Sequence, residues 1–277
     1  MHIVDSQIHI WLPGGPTRPW PEGSEPREPF TYQDALSLMN QSGVQGAILV
    51  PPSFEGFRND YALEAARLFP NRFAVMGRLS LLDLQSPKHL EGWLSQKGML
   101  GVRLTFHRDK DRPWLTDGSA DWFWPKAQEL KIPVMVHAPE RLEKIAQLAT
   151  QYPNLKIIID HMGFARSNVD EHAMEGVKRI LPLASHKNIF IKISALACYS
   201  TQPYPYANLH DPIFQVLSAF GADRCFWGTD ITRMPSSASY QQAVHMILDF
   251  FEKIPSIEKE LLMGKALMQC LNWKITE

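Results

Sequence analysis

Only three cysteines occur in 277 residues, Cys198, Cys225 and Cys270. They are odd in number and none stands in Cys-x-x-Cys spacing, which excludes a disulfide framework or a zinc finger and fits a reduced, cytoplasmic setting. An excess of one charge is lacking too: 28 Lys and Arg face 29 Asp and Glu, for a net charge of -1. Without a basic run, nothing draws the chain to nucleic acid. No apolar stretch has the length to span a bilayer, so no membrane partner is expected. The N-terminus carries Asp5 and His9 inside its first apolar stretch and lacks the basic start and apolar core of a signal peptide. No Gly-x-Gly-x-x-Gly follows the first strand. Leu12-Pro13-Gly14-Gly15 has neither the spacing nor the helix start that a dinucleotide site needs, which disfavours an open doubly wound sheet.

What is present is a regular beat. Short apolar runs at Ile3–Trp11, Gln45–Val50, Arg72–Leu79, Met99–Phe106, Ile132–Val136, Leu155–Ile159, Asn188–Ile193 and Cys225–Gly228 read as eight strands. They lack strict alternation, as strands buried on both faces do. Helical stretches separate them, opened by caps such as Thr31 and Ser86-Pro87 and stopped by Gly43, Pro70 and Gly221. Asp170–Ala184 reads as one helix that Pro182 shortens, and Ser119 opens another. Eight such units in one chain of this length predict a (β/α)8 TIM barrel, a single domain over residues 1–277. A final helix over Ser256–Leu271 is extra to the eightfold pattern. Residues 12–30 are rich in Pro and Gly, cannot be helix or central strand, and are expected to form a stiff flap over a pocket. Apolar residues in Met246–Phe251 suit either core packing or a helix-mediated homo-oligomer.

A barrel should carry its chemistry at the C-terminal ends of its strands. Polar residues fall there: Gln7 and His9, Arg78 and Ser80, Arg103 with Thr105 and His107, His137, Asp160 and His161, Ser194, and Thr229 with Asp230. In an extended strand, residues two apart share a face, so Asp5, Gln7 and His9 are expected to point together. Arg103 lies inside a strand and must be paired or functional.

Four segments, Val4-Asp5-Ser6-Gln7-Ile8-His9-Ile10-Trp11, Gly101-Val102-Arg103-Leu104, Asp160-His161-Met162-Gly163 and Gly228-Thr229-Asp230, together resemble the amidohydrolase superfamily. More narrowly they resemble its amidohydrolase 2 branch, which includes sugar and pyrone dicarboxylate lactonases and zinc-dependent decarboxylases. The likeness runs to the closing Gly264-Lys265-Ala266, where the family usually has Gly-Asn-Ala. It implies a first-strand His-x-His, a His on strand five, a His on strand six and an Asp on strand eight. His9, His137, His161 and Asp230 stand at these places, but Gln7 replaces the first His.

That replacement splits the implied chemistry. His9, His137 and Asp230 remain as candidate ligands for one divalent metal, zinc or manganese. Gln7 is a poor ligand and can instead donate its amide hydrogens to a substrate oxygen, in which case the enzyme works without metal. The expectation is a hydrolase that opens a small carboxylated lactone, with Asp230 as general base and His9 and His161 as proton-transfer or electrophilic partners. Arg103 and Arg78 would bind an anionic substrate, beside Gln7, Trp11, Ser194 and Tyr199. The alternatives are a metal-dependent decarboxylase of an aromatic or dienoic acid and a catalytically silent acid-binding barrel.

Overall fold

The computed structural model describes residues 1–276 apart from 23, 25, 26, 109, 110, 237, 251–253 and the side chain of Phe250. Eight strands pair in parallel in chain order: β1 (Val4–Ile8), β2 (Gly46–Leu49), β3 (Phe73–Arg78), β4 (Met99–Thr105), β5 (Val134–His137), β6 (Ile157–Ile159), β7 (Ile189–Ser194) and β8 (Cys225–Gly228). The Asp230 N–H donates to the Gln7 carbonyl at 3.0 Å, so the segment after β8 returns to β1 and closes the (β/α)8 barrel. Helices α1 (Tyr32–Gln41), α2 (Asp60–Leu68), α3 (Ser86–Glu91), α4 (Phe123–Glu129), α5 (Leu142–Gln151), α6 (Ala173–Ile180), α7 (His210–Phe220) and α8 (Tyr240–Phe250) follow the strands in turn. Pro182 ends the helical reading early, as expected: α6 stops at Ile180 and passes into a short 3-10 turn. The helix expected from Ser119 begins four residues later, at Phe123.

Strand parity sorts the barrel into layers. Outward residues such as Leu49, Val75, Val102, Val136, Ile159 and Ile191 pack in one core with the helices. Inward residues of the lower barrel, Val4, Ile48, Ala74, Met76, Met135, Ile158 and Phe226, form a second core. Two residues further along the same strands, the inward positions turn polar: Met76 leads to Arg78, Met135 to His137, and Ile158 to Asp160. The barrel is therefore apolar at its base and charged at its mouth.

The extra C-terminal segment plugs the base. It divides into α9 (Ser256–Glu260), a wide turn and α10 (Ala266–Leu271), whose Ala266, Leu267, Cys270 and Leu271 join the inner core with Trp273. The break falls at Gly264, where a side chain would stand 2.8 Å from the His2 carbonyl oxygen and 2.9 Å from the Val4 nitrogen. Only glycine lets the segment approach β1 so closely. Core packing accounts for the apolar face of α8, since Met246 and Ile247 are fully buried within the chain's own core. Phe251 lies outside the described residues.

The described residues of the flap over 12–30 are irregular, as its composition predicts, and are tied to the mouth. The Trp11 N–H donates to the Phe30 carbonyl at 2.8 Å, and the Trp11 ring stacks edge-on against Phe54 at 5.3 Å. Arg18 pairs with Glu55 at 2.7 Å and Asp60 at 3.1 Å.

One expectation about β1 fails. Gln7 and His9 meet at the mouth, but Asp5 turns outward. A register shift between Asp5 and Ile8 breaks the simple alternation. The Asp5 carboxylate accepts from the Gln7 and Thr229 N–H groups, each at 2.9 Å, from the Thr229 hydroxyl at 2.5 Å, and from the Tyr240 hydroxyl on α8 at 3.0 Å. Asp5 thus clamps β1, the end of β8 and α8 together.

Burial pushes the Asp5 carboxyl up to about 6, against the hydrogen bonds from Thr229, Gln7 and Tyr240. A carboxyl raised on folding binds more protons in the folded state. Its contribution is complete below the unfolded value of 3.8 and is lost as pH rises through about 6. Compared with Asp5→Asn, whose amide does not titrate, the wild-type protein is expected to lose urea stability as pH rises across this window. Parallel curves for the two proteins would show that Asp5 is not the titrating group.

Candidate active site

The site is built where three strands end in tight turns. His9 follows β1. Its Nδ1–H donates to the Val50 carbonyl at 2.6 Å, and since a carbonyl only accepts, this fixes the tautomer. Nε2 is left facing the barrel axis, 3.1 Å from Asp230 Oδ1. Asp230 follows β8 in the left-handed region, with φ 48°, a conformation that aspartate tolerates better than most residues. His161 follows β6, and both it and Met162 are left-handed, with φ 53° and 55°. Such backbone costs on the order of 1–3 kcal/mol per residue and persists only where the fold imposes it. Here it swings the His161 ring into the mouth, placing Nε2 3.3 Å from Asp230 Oδ2 and Nδ1 2.8 Å from the Ser194 hydroxyl. A hydroxyl can donate or accept, so Ser194 supports either tautomer of His161.

Two imidazoles thus converge on one buried carboxylate. Burial alone would raise the Asp230 carboxyl, but His9, His161 and Arg233 outweigh it and hold it well below the usual range, so it is ionised at neutral pH. Burial drives His161 down to about 3, against the pull of Asp230 and Asp160, so its ring is neutral.

Beneath this trio lies an ion cluster. Asp160 Oδ2 accepts from Arg103 Nε at 3.1 Å and Nη2 at 2.9 Å, and Oδ1 accepts from the Lys192 ammonium at 2.9 Å. Lys192 also donates to the Gln7 side-chain oxygen and lies 3.4 Å from Met135 Sδ. Burial would raise the Asp160 carboxyl, but Lys192 and Arg103 hold it far below the usual range.

Above the trio opens a cavity of about 240 Å3 lined by Gln7, His9, Trp11, Arg27, Phe54, Arg103, His107, His137, His161, Arg166, Asp230 and Arg233. Of the residues expected from sequence, Gln7, His9, Trp11, Arg103, His137, His161 and Asp230 meet there. Ser194 reaches the site through His161, and Tyr199 through Arg233, whose Nη2 lies 3.3 Å from the tyrosine hydroxyl. Arg78 lies off the cavity, donating to the Gly56 carbonyl at 3.1 Å and to the Thr105 hydroxyl at 3.3 Å. Arg103 lines the floor, but two of its nitrogens are spent on Asp160 rather than held ready for a substrate.

Sequence reasoning passed over Lys192. The signal was available: a lone charge in the strand Ile189-Phe190-Ile191-Lys192-Ile193, two residues before Ser194 and on its face. The same rule that singled out Arg103 applies to it.

Two imidazoles and a carboxylate are the residue types that hold a divalent cation. In a tetrahedral site with bonds of about 2.0–2.1 Å, neighbouring ligand atoms stand about 3.3 Å apart. His9 and His161 stand 3.1 and 3.3 Å from Asp230, but on its two different oxygens, Oδ1 and Oδ2. Asp230 Oδ1 is buried, and His9 Nε2 lies 3.1 Å from it. The backbone carbonyl behind His9 and the hydroxyl behind His161 are the outer partners that ligating histidines use. His137 is placed differently: its ring packs against His161 at 5.3 Å and His107 at 4.8 Å. His161 is the imidazole that pairs with Asp230 beside His9, while His137 lines the same cavity with its Nδ1 buried and without a hydrogen-bond partner among the described residues. His137, Asp160 and His161 also lie close together, but both Asp160 oxygens are taken by cations.

Comparison with known proteins agrees with this architecture. The chain is 27% identical to an L-fucono-1,5-lactonase of Burkholderia ambifaria over 239 residues, which span 82% of this chain and 79% of the relative. It is 25% identical to a 4-sulfomuconolactone hydrolase of Rhizobium radiobacter over 232 residues, 82% of this chain and 74% of that one. A crystal structure of an amidohydrolase from Burkholderia multivorans with bound zinc shares the fold, with a TM-score of 0.82, 18% identity and coverage of 99% of this chain and all of the other. The family model described as amidohydrolase matches residues 4–264, from β1 to the turn before α10, and the chain belongs to this family.

Proposed function

We propose that the protein is a hydrolase that opens a small carboxylated lactone or a related cyclic ester. The observation that carries this reading is Asp230, a carboxylate held ionised between two imidazoles at the floor of an arginine-lined cavity. The two curated relatives are named for lactone hydrolysis.

Asp230 is the general base. Its carboxylate lines the cavity and takes a proton from a water molecule, which then attacks the lactone carbonyl carbon. Gln7 Nε2 and His161 border the same space and can donate to the carbonyl oxygen as negative charge builds on it. The ring C–O bond then breaks, and the proton held by Asp230 passes to the leaving alkoxide. A zinc or manganese ion, held by His9, His161 and Asp230, would polarise the carbonyl and lower the demand on these donors. A lactone carbonyl is more electrophilic than an amide, so the residues alone suit a lactone better than an unactivated amide.

The cavity also selects charge. Arg27, Arg166 and Arg233 line it. Burial and the positive field of Arg103, Arg108, Arg166 and Arg233 push His107 down to about 4. A substrate carboxylate is drawn to this side, and Arg166 and Arg233 take the anchoring role first expected of Arg103.

Asp230→Asn keeps the side-chain shape and removes the base. Turnover on a panel of carboxylated lactones is expected to fall about 10²- to 10⁴-fold while circular dichroism and thermal unfolding stay unchanged. Full activity in the variant would overturn the reading. Release of carbon dioxide from an aromatic acid, lost on chelation, would instead identify a decarboxylase.

Arg233→Met removes one anchoring charge. KM for a carboxylated lactone is expected to rise roughly 10- to 100-fold, the worth of a hydrogen bond to a charged group, with little change for the corresponding uncharged lactone. Equal losses on both substrates would show that Arg233 does not bind the carboxylate.

A further inference from the structure

Lys192 is a fully buried cation that the hydrolysis just described does not use. Asp160 balances its charge, but Asp160 is already paired with Arg103. The second polar contact of the ammonium, to Gln7, is the informative one.

An ammonium group can only donate, so the Gln7 atom that faces it must be the oxygen. The other end of the amide, Nε2, must then point toward the cavity, where it lies 3.3 Å from His9 Nε2. His9 has committed its Nδ1–H to the Val50 carbonyl, so in the neutral ring Nε2 accepts. The three bonds run in one direction: Lys192 donates to Gln7, Gln7 to His9, and His9 to the backbone of Val50. No member can be reversed while the ammonium and the carbonyl hold the two ends. Cooperative chains of this kind strengthen each bond beyond its isolated worth.

We propose that Lys192 is a positioning residue: by capturing the Gln7 side-chain oxygen it removes position 7 from the coordination shell of any metal at this site and turns the Gln7 amide nitrogen toward the cavity as a donor. The missing first-strand histidine is thus matched by a buried cation that would also repel a second, metallic one at the same level of the barrel. His9 could ligate a divalent ion here only by giving up the hydrogen bond it accepts from Gln7. This assignment does not depend on which bond the enzyme cleaves.

The test reads zinc affinity, by competition with a chromophoric chelator, for Gln7→His alone and for Gln7→His combined with Lys192→Met. With Lys192 present, the new imidazole accepts from the ammonium and has no lone pair for zinc. Gln7→His is expected to bind zinc within about twofold of the wild-type protein. The double variant is expected to bind it about 10- to 100-fold more tightly than Gln7→His, the scale on which partners of a ligand alter metal affinity. Thermal unfolding checks that each variant is folded. If Lys192→Met leaves Asp160 too poorly paired to fold, Lys192→Met combined with Asp160→Asn removes the ammonium together with the charge it balances and gives the same comparison. A tenfold gain from Gln7→His alone, or equal affinity in the single and double variants, overturns the proposal.

Discussion

Asp160 holds two buried cations, and the mouth of the barrel depends on that grouping. Removing a carboxylate, a guanidinium and an ammonium from water costs several kcal/mol for each ion. The cost is met only when all three are in place, with Arg103 on one oxygen of Asp160 and Lys192 on the other. The cluster therefore fixes the inward ends of β4 and β7 and the turn after β6 relative to one another. Asp160 is followed directly by His161, so whatever fixes its carboxylate also fixes the left-handed turn that aims the His161 ring. Lys192 carries the same order across the barrel to Gln7 on β1.

Closure of the barrel and assembly of the site are one event. The Asp230 N–H donates to the Gln7 carbonyl while the Gln7 side chain reaches Lys192, so one residue serves both the strand closure and the floor of the cavity. Asp5 acts from the other side of β1, holding Thr229 next to Asp230 and tying both to α8 through Tyr240. A defect in the closure between β1 and β8 would displace His9 and Asp230 together. It would also disturb the C-terminal plug, since Gly264 lies against the first residues of β1.

Much of this was legible in the sequence, for a physical reason. Period and parity fix which residues face inward, so eight apolar runs ending in Gln7, His9, Arg103, His137, His161 and Asp230 pointed to a barrel with a polar mouth. Pairings between strands were not legible. Arg103 stood out as a buried charge, but its partner Asp160 lies 57 residues away and two strands around the barrel. Without that pairing, Arg103 read as a free anchor. Asp5 was misplaced because a register shift has no signature in a local pattern of alternation. His161, rather than His137, faces Asp230 because of consecutive left-handed residues, which Asp160-His161-Met162-Gly163 does not announce beyond its glycine. Lys192 obeys the same parity rule as Arg103 and is as legible in the sequence.

The charge arrangement also bears on turnover. On the proposed reading, cations on the cavity wall and one carboxylate on its floor would give an anionic lactone one favourable orientation, with its carboxylate toward Arg166 and Arg233 and its neutral ester over Asp230. Ring opening converts that neutral ester into a second carboxylate beside Asp230. Two like charges a few ångströms apart in a partly desolvated cavity repel by several kcal/mol at an effective dielectric of about 20. On the proposed reading, substrate and product differ by this one charge, so a carboxylate that serves as base toward the substrate would also work against retention of the product. An amide substrate would leave the same carboxylate but also an amine. Such a product could stay bound through its new ammonium group, which makes the single anionic floor better suited to releasing the product of a lactone.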